Sequence, residues 1–456
     1  MNKIKFTYLM MGAMLFTTAC SSDLNQIPSV NPQSESLTDF TNVLNAAYYY
    51  QATAVTPMAV MGDFRADNAY MFEAPYSDFD AFSNGAIITQ DAEFFRPFYS
   101  GLYKSILSAN IVITKSTNAS QKAEAKFLRA LAYFKLVQVF GPVTINLSDA
   151  PSTSDTSILA RRSVADVYAL IISDLIDAKT TLGATKSTTG RATKYAAQGL
   201  LGKVYMTRAN PGDITLAKTE LSTVVSGASA AGFNLIAGAS YATIFTVDNN
   251  AETLFATQLS SSISDEYSGS DFWSWFSGAN TKSLNPIDGS LTAAFAASGS
   301  ADVRKAVVIK VATPTKSNKY GTAGANADWI ELRLADVILL YAEALNEEAD
   351  NAAARTLALV ELNKIRTRAG LANTTAATQV ALRAAIANDR RLELAFEGQR
   401  WFDLLRYNKV TPGATQAALA STAIPTPSFS NNYYLFPIPS SEISASFNVI
   451  TQNPGY

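Results

Sequence analysis

The chain reads as mainly α, antiparallel helix pairs interrupted by loop and short-strand insertions, with length enough for one elaborate domain or two or three simple ones. Three observations predict this. Long stretches repeat apolar residues at helical spacing, as in Val164, Val167, Ile171, Leu175, Ala178 and Leu182. Small residues such as Ala197, Gly199 and Gly202 sit where two helices would need to approach closely. From Phe233 to Ile330 the pattern changes to short apolar runs separated by Gly, Ser and Asn. One helix pair cannot bury its own apolar face, so such pairs stack; they look like tetratricopeptide units, although no strict repeat period is present.

The elements follow in order. Met1 to Ala19 carries Lys3 and Lys5, then the apolar run Tyr8 to Phe16 and small residues. This is a signal peptide, too short to span a bilayer. Cys20, the only cysteine, follows at once, and 20–35 is a polar tether. Ser36 to Gln51 is a first helix with Phe40, Val43, Leu44 and Ala47 on one face. Thr56 to Thr89 is aromatic and turn-rich and reads as an irregular insertion, about 56–92. Glu93 to Lys115 and Gln121 to Phe140 are the next pair, with Pro97 in a first turn and Gly141-Pro142 as a stop. Ser163 and Asp166 have capping-box spacing before the helix to Leu182. Helices follow at Lys194 to Ala209 and Ile214 to Ser226. After the insertion at about 233–330, where Thr253 to Leu259 reads as a strand, they return at Glu331 to Glu348, Asn351 to Ala369 and Ala377 to Glu397. The tail, about 409–456, holds Pro437, Pro439 and Pro454 and reads as extended or turned.

Composition excludes several chemistries. The 456 residues are 48% hydrophobic with a formal net charge of −2, which leaves no electrostatic footprint for nucleic acid. There is no histidine, so Ser-His-Asp and Cys-His chemistry and the commonest metal ligand are absent. One cysteine rules out an internal disulfide. No stretch fits a phosphate-binding loop or an EF-hand, and no cofactor is expected; plentiful Asp and Asn leave calcium open with no motif to support it.

Asn388 to Tyr407, NDRRLELAFEGQRWFDLLRY, threads charges through an apolar helical pattern. Arg390 with Glu393, Glu397 with Arg400, and Asp403 with Arg406 lie three apart and would face each other on a helix. Gly398 should break the helix before Trp401-Phe402. A carboxylate beside arginine has a lowered pKa, which suits architecture better than acid catalysis.

This stretch resembles the conserved block of the SusD/RagB family, outer-membrane lipoproteins that capture nutrients, mostly glycans, for a TonB-dependent transporter. Arg333 to Asn346, RLADVILLYAEALN, and Phe436 to Tyr456, FPIPSSEISASFNVITQNPGY, resemble two further family motifs in the right order. The resemblance implies a SusD-like fold over 36–456, with helical scaffold at about 36–226 and 331–408. It implies structural roles for Arg333, Glu343, Glu393, Glu397, Arg400, Asp403 and Arg406. It implies acylation of Cys20, an outer-membrane, outward-facing location, a SusC-like transporter partner and an oligosaccharide ligand. The implied role is non-catalytic. The alternatives are a peptide- or protein-capturing receptor on the same scaffold and an all-α glycoside hydrolase using Asp265, Glu266 or Asp271. Asp302 with Arg304, and Lys319-Tyr320, resemble family positions but read by default as solvated surface pairs.

Two stretches are candidate ligand faces. In DEYSGSDFWSWFSGAN, Trp273 and Trp275 would share one side of an extended segment, with Tyr267 and Phe272 nearby and Asp271, Ser274 and Asn280 able to bond hydroxyls. These rings read equally as packing or as a transporter contact. In GDFRADNAYMFEAPYSDFDAF, Tyr70 and Tyr76 are the preferred contacts, with Asp67 and Asn68 beside them. Asp63, Arg65 and Asp67 read first as a structural ion-pair and turn network.

Overall fold

The computed structural model describes residues 37–456 except 72, 82–83, 153–154, 261–270, 278–285, 313–314, 322–323 and 411–430. The signal peptide, Cys20 and most of the tether therefore lie outside the described residues, as do Asp265, Glu266, Tyr267 and Asn280. Residues from Phe40 onward form one compact unit.

Helix α1 spans Thr41–Tyr49, shorter than expected at its start. The irregular insertion begins only after Phe64, with turns from Arg65 onward. A 3-10 turn Tyr50–Ala54, an α-turn Val55–Ala59 and a π-turn Val60–Phe64 continue it directly. Almost every side chain from Gln51 to Phe64 is buried, so tertiary packing selects helix over the loop that the turn residues suggested.

The next helices are α2 Phe95–Lys115, α3 Ala119–Phe140, α4 Val164–Thr181, α5 Lys194–Arg208 and α6 Asp213–Gly227. Asn118 caps α3, starting it before Gln121, and Ser163 caps α4 by accepting the Asp166 N–H at 3.1 Å. Each helix packs on the next, as stacked antiparallel pairs require. The α4 stripe is buried except Val164, which is 39% exposed at the helix's first position. Gly199 and Gly202 do serve close packing: a Cβ on Gly202 would sit 2.5 Å from Leu221 on α6.

Strand β1, Thr253–Thr257, pairs antiparallel with β2, Trp329–Arg333. The residues expected to open a helix at Glu331 are thus strand. The insertion also contains helices, α7 Phe272–Ser277 and α8 Gly289–Ser298. Then come α9 Leu334–Glu348, α10 Ala352–Arg368, α11 Gln379–Leu394 and α12 Arg400–Val410. Helix α9 packs against α6, α10 and α11 and joins the two halves of the scaffold. No helix among the described residues is long and apolar enough to cross a membrane.

The tail folds back onto α3. Asn453 donates its amide to the carbonyls of Phe140 and Phe436 at 3.1 and 2.8 Å, and accepts from Arg161 at 2.5 Å. Gln452 and Ile438 exchange two hydrogen bonds. The tail is not wholly extended, since Ser440–Ala445 forms a short helix.

Charge organises the C-terminal half. Arg333, fully buried, donates to Glu252 at 2.7 Å, to Glu393 at 2.6 Å and to both oxygens of Glu397 at 2.8 Å. Lys319 donates to Glu397 and to the Ala395 carbonyl, each at 2.6 Å. Arg304 is bidentate to Asp302 at 2.8 Å, and both are buried, so Asp302–Arg304 and Lys319–Tyr320 are interior groups rather than solvated pairs. Arg304, Lys319, Arg333, Arg366 and Arg368 balance Glu252, Asp302, Asp389, Glu393 and Glu397. A second buried cluster sets Arg390, Lys203 and Arg406 against Asp336, Asp403 and Glu343.

Of the pairs expected from spacing, only Asp403–Arg406 forms, at 3.0 Å. Glu397 and Arg400 part company because α11 ends at Leu394. Phe396 and Gly398 then take left-handed conformations, φ +64° and +67°, which turn the chain between the two charges. Arg390 faces Asp336 and Asp403 instead of Glu393. The turn is held by Asp63, whose carboxylate accepts the Phe396 and Gly398 N–H groups at 3.0 and 2.7 Å. A Cβ on Gly62 would stand 2.3 Å from the Gly398 carbonyl oxygen, so only glycine permits this approach.

Burial alone would push the Glu397 carboxyl up, but Arg333 and Lys319 outweigh it and hold it below its ordinary value. A carboxylate so depressed adds stability that is complete above its unfolded pKa, about 4.3, and lost as pH falls below it. Glu397→Gln should therefore lower stability by about 3–5 kcal/mol near neutral pH. In chemical denaturation at a series of pH values, the gap between wild type and variant should narrow below about pH 4. A gap that stays constant would show that the charge of Glu397 is not what the site uses.

Candidate functional site

The two insertions are joined in space. Ala69 and Ile287 form an antiparallel bridge, Tyr70 N–H donates to the Pro286 carbonyl at 3.1 Å and Asp288 N–H to the Asn68 carbonyl at 2.9 Å. Arg391, on α11, brackets both. It donates to Asn68 Oδ1 at 3.0 Å, to Ser290 Oγ at 2.8 Å and to the Asp67 carbonyl. Arg400 is bidentate to Asp67, at 2.6 and 2.8 Å. Burial opposes ionisation of Asp67, yet Arg400 and Arg391 hold its carboxyl at about 2.

This corrects two expected ligand contacts. Asp67 and Asn68 are 2% and 0% exposed, and their polar groups face the interior. They support the surface from behind. Asp63 and Asp67 share one network, because Asn68 donates to Asp63 at 2.7 Å and accepts from Arg391, which pairs with Asp67 at 3.3 Å. Asp63 caps the 396–398 turn and burial lifts its carboxyl to about 6, against its N–H donors. Arg65 reaches the tail instead, donating to the Phe79 and Tyr433 carbonyls at 2.8 and 3.0 Å and lying over Phe436.

The Trp273–Trp275 segment is the helix α7, not an extended strand, so its two tryptophans diverge. Trp275 is fully buried. It meets Tyr76 edge-on at 4.8 Å, Phe94 at 5.5 Å and Phe64 at 6.5 Å. Phe272 is also fully buried, against Tyr320 and Trp329 at 4.8 and 5.1 Å. Phe276 stacks on Phe64, and Ser274 is buried with its hydroxyl turned back to the Asp271 carbonyl at 2.8 Å. As placed here, neither Trp275 nor Phe272 offers a ring face to a ligand.

What remains at the surface is coherent. Trp273 is half-buried and Asp271 exposed, and Thr56 donates to Asp271 at 3.0 Å. Tyr76 is half-buried, its ring resting on Trp275 and its hydroxyl donating to Glu93 at 3.0 Å. Burial, then Glu93, Glu73 and Asp271, raise that hydroxyl's pKa to about 12, so it stays a donor at every physiological pH. Aromatic edges, two carboxylates and hydroxyls thus sit on a rigid aromatic base, a surface suited to a polyhydroxylated ligand. Tyr70, half-buried on the Ala69–Ile287 bridge, completes the described candidates. Thr56 and Glu93 were missed. Thr56 lies in what reads as loop and Glu93 as a helix start, and only contact with Asp271 and Tyr76 marks them.

Comparison with known proteins bears on the whole chain. The model of the SusD family matches residues 290–456, and one described as starch-binding and associating with the outer membrane matches 20–206. SusD-like protein P2 of Formosa agariphila is 26% identical over 100% of both chains. A SusD-like protein of Bacteroides ovatus is 27% identical over 90% of this chain and 83% of its own. Among solved structures, a laminarin-binding SusD-like protein superposes with a TM-score of 0.70 at 24% identity, covering 92% of this chain and 99% of that one. A structure with xylogluco-oligosaccharide gives 0.75 at 22% identity, covering 91% and 99%. These structural likenesses establish the mainly α fold.

The two tryptophans should separate cleanly on substitution. Trp275→Ala empties a buried site and should cost about 3–5 kcal/mol in denaturant unfolding. Trp273→Ala should cost under about 1 kcal/mol, in keeping with a partly exposed ring. Equal costs would contradict the burial difference.

Proposed function

The chain belongs to the SusD/RagB family, and from that premise we propose that it is a non-catalytic receptor for oligosaccharide at the cell surface. The observation that carries the reading is the Trp273–Asp271–Tyr76 surface, with Thr56 and Glu93, held on a buried aromatic base. Ring faces and edges suit the C–H faces of sugars, and the carboxylates accept from hydroxyls. Laminarin and xylogluco-oligosaccharide, named for two fold neighbours, are the glycans to try first. Tyr70 is proposed as a further contact. Tyr267 and Asn280 belong to the same sequence neighbourhood and are proposed with it.

The scaffold supports a receptor because its two interior charge clusters are paired and its helices stacked, so the face is preorganised and little ordering entropy opposes binding. We assign Cys20 as an acylated residue after a signal peptide of 1–19, with 20–35 as the tether to a domain spanning 36–456. Several acyl chains would hold the protein at the outer membrane, facing outward, without a membrane span. A SusC-like TonB-dependent transporter is the proposed partner that receives the ligand.

Calorimetric titration with laminari- and xylogluco-oligosaccharides should show binding, and Trp273→Ala should weaken it by about tenfold. Prolonged incubation should release no shorter sugars. Product release would make the chain a glycoside hydrolase, and a response to peptides alone would make it a peptide receptor.

Cys20→Ala should move the protein from the membrane to the soluble fraction. Equal membrane retention, or a mature Cys20 without acyl groups by mass spectrometry, would remove the anchor.

A further inference from the structure

A second concavity opens between α1, the loop 187–191 and the stretch from β1 to Ser260, with a volume of about 460 Å³. Its floor is aromatic. Phe255 is buried, Tyr48 lies 6.1 Å from it centroid to centroid, and half-buried Tyr49 stands beside them. Tyr48 is fixed, its hydroxyl donating to Glu124 at 2.7 Å and accepting the Ala192 N–H at 3.0 Å.

Among the described residues the cleft's one charged lining residue is Arg191, and its charge is answered. The guanidinium lies 4.7 Å above the Tyr48 ring, pairs with Glu124 at 3.3 Å and donates to Asn45. The rim is neutral: Asn45, Thr189 and Gln258 are exposed amides and a hydroxyl. The wall is built closely. Gly190 has φ +72°, a left-handed conformation that favours glycine, and it lets the loop lie close to Gln258.

The lining chooses among ligands. A site whose only charge is already paired gives an ionic ligand no advantage. Against a lipid or an apolar side chain the exposed groups of the rim would give up water for no new partner. Apolar faces ringed by hydroxyls satisfy both floor and rim, and the volume falls in the range of small-ligand sites, roughly 300–1,000 Å³. Position matters as well. Ala52 lines the cleft, and Thr56, roughly 6 Å farther along the same helical run, holds Asp271 at the start of α7.

We infer that this cleft is a second contact region for a neutral oligosaccharide, engaged by chains long enough to reach it from the Trp273 surface. The inference rests on the receptor reading above and adds to it a preference for length.

The test is calorimetric titration of the full chain with laminari- and xylogluco-oligosaccharides of increasing length. Wild-type affinity should rise with length. Gln258→Ala and Tyr49→Ala should each weaken binding of the longest sugar by up to about tenfold and leave the shortest unchanged, whereas Trp273→Ala should weaken both. Gln258 is exposed, so its variant keeps the test valid if Tyr49→Ala unfolds. Wild-type affinity independent of length, or variants that affect every length equally or none, would overturn the cleft and spare the receptor. Failure of the wild type to bind any of these sugars would overturn both.

Discussion

The contact on which the C-terminal half depends is the fully buried fork of Arg333 between Glu393 and Glu397. Taking such charges out of water is expensive, and attraction offsets the cost only when geometry is good and every remaining donor is satisfied. Here the guanidinium spends its donors on three carboxylates and a carbonyl, and Lys319 completes Glu397. The fork joins β2 to α11 and to the turn after it. That turn needs two successive departures from helix at Phe396 and Gly398, which Asp63 secures from the far side of the sequence. A hydrophobic core alone would not fix this register, because apolar contacts tolerate sliding where directed charge pairs do not.

The helical scaffold was legible because its signal is local. Periodic stripes and caps place α3 to α6 and α9 to α11 within a few residues. Failures cluster where distant partners decide. Glu397 and Arg400 are three apart, but a turn that neither residue encodes separates them, and their partners lie at Lys319, Arg333 and Asp67. The stretch after Tyr50 has the composition of a loop, yet burial makes it helix. The six residues FWSWFS fit strand or helix equally, since so short a run carries no decisive period. Once helical, it must send Trp275 inward and leave Trp273 at the rim.

That outcome changes what the aromatic segment does rather than whether it matters. Phe64, Phe94, Tyr76 and Trp275 form a continuous edge-to-face layer under the surface. Such a layer is stiff, because each ring's position is set by several others. Residues 66–70 and 286–290, pinned by Arg391, flank the described insertions with similar rigidity. Recognition is thus left to the few side chains above these supports.

The distribution of charge completes the picture. Many of the chain's acidic and basic groups are used in the interior, in two balanced clusters and the Asp67 bracket. The described cleft and the α7 surface are correspondingly poor in uncompensated cations: Arg191 is paired. A surface of rings, amides, hydroxyls and a few carboxylates discriminates by shape and by hydrogen-bond direction, not by ionic attraction. Neutral polyhydroxylated chains suit such a surface because they bring no charge of their own to be desolvated. Binding built this way should be nearly insensitive to salt, because no long-range attraction is there to be screened.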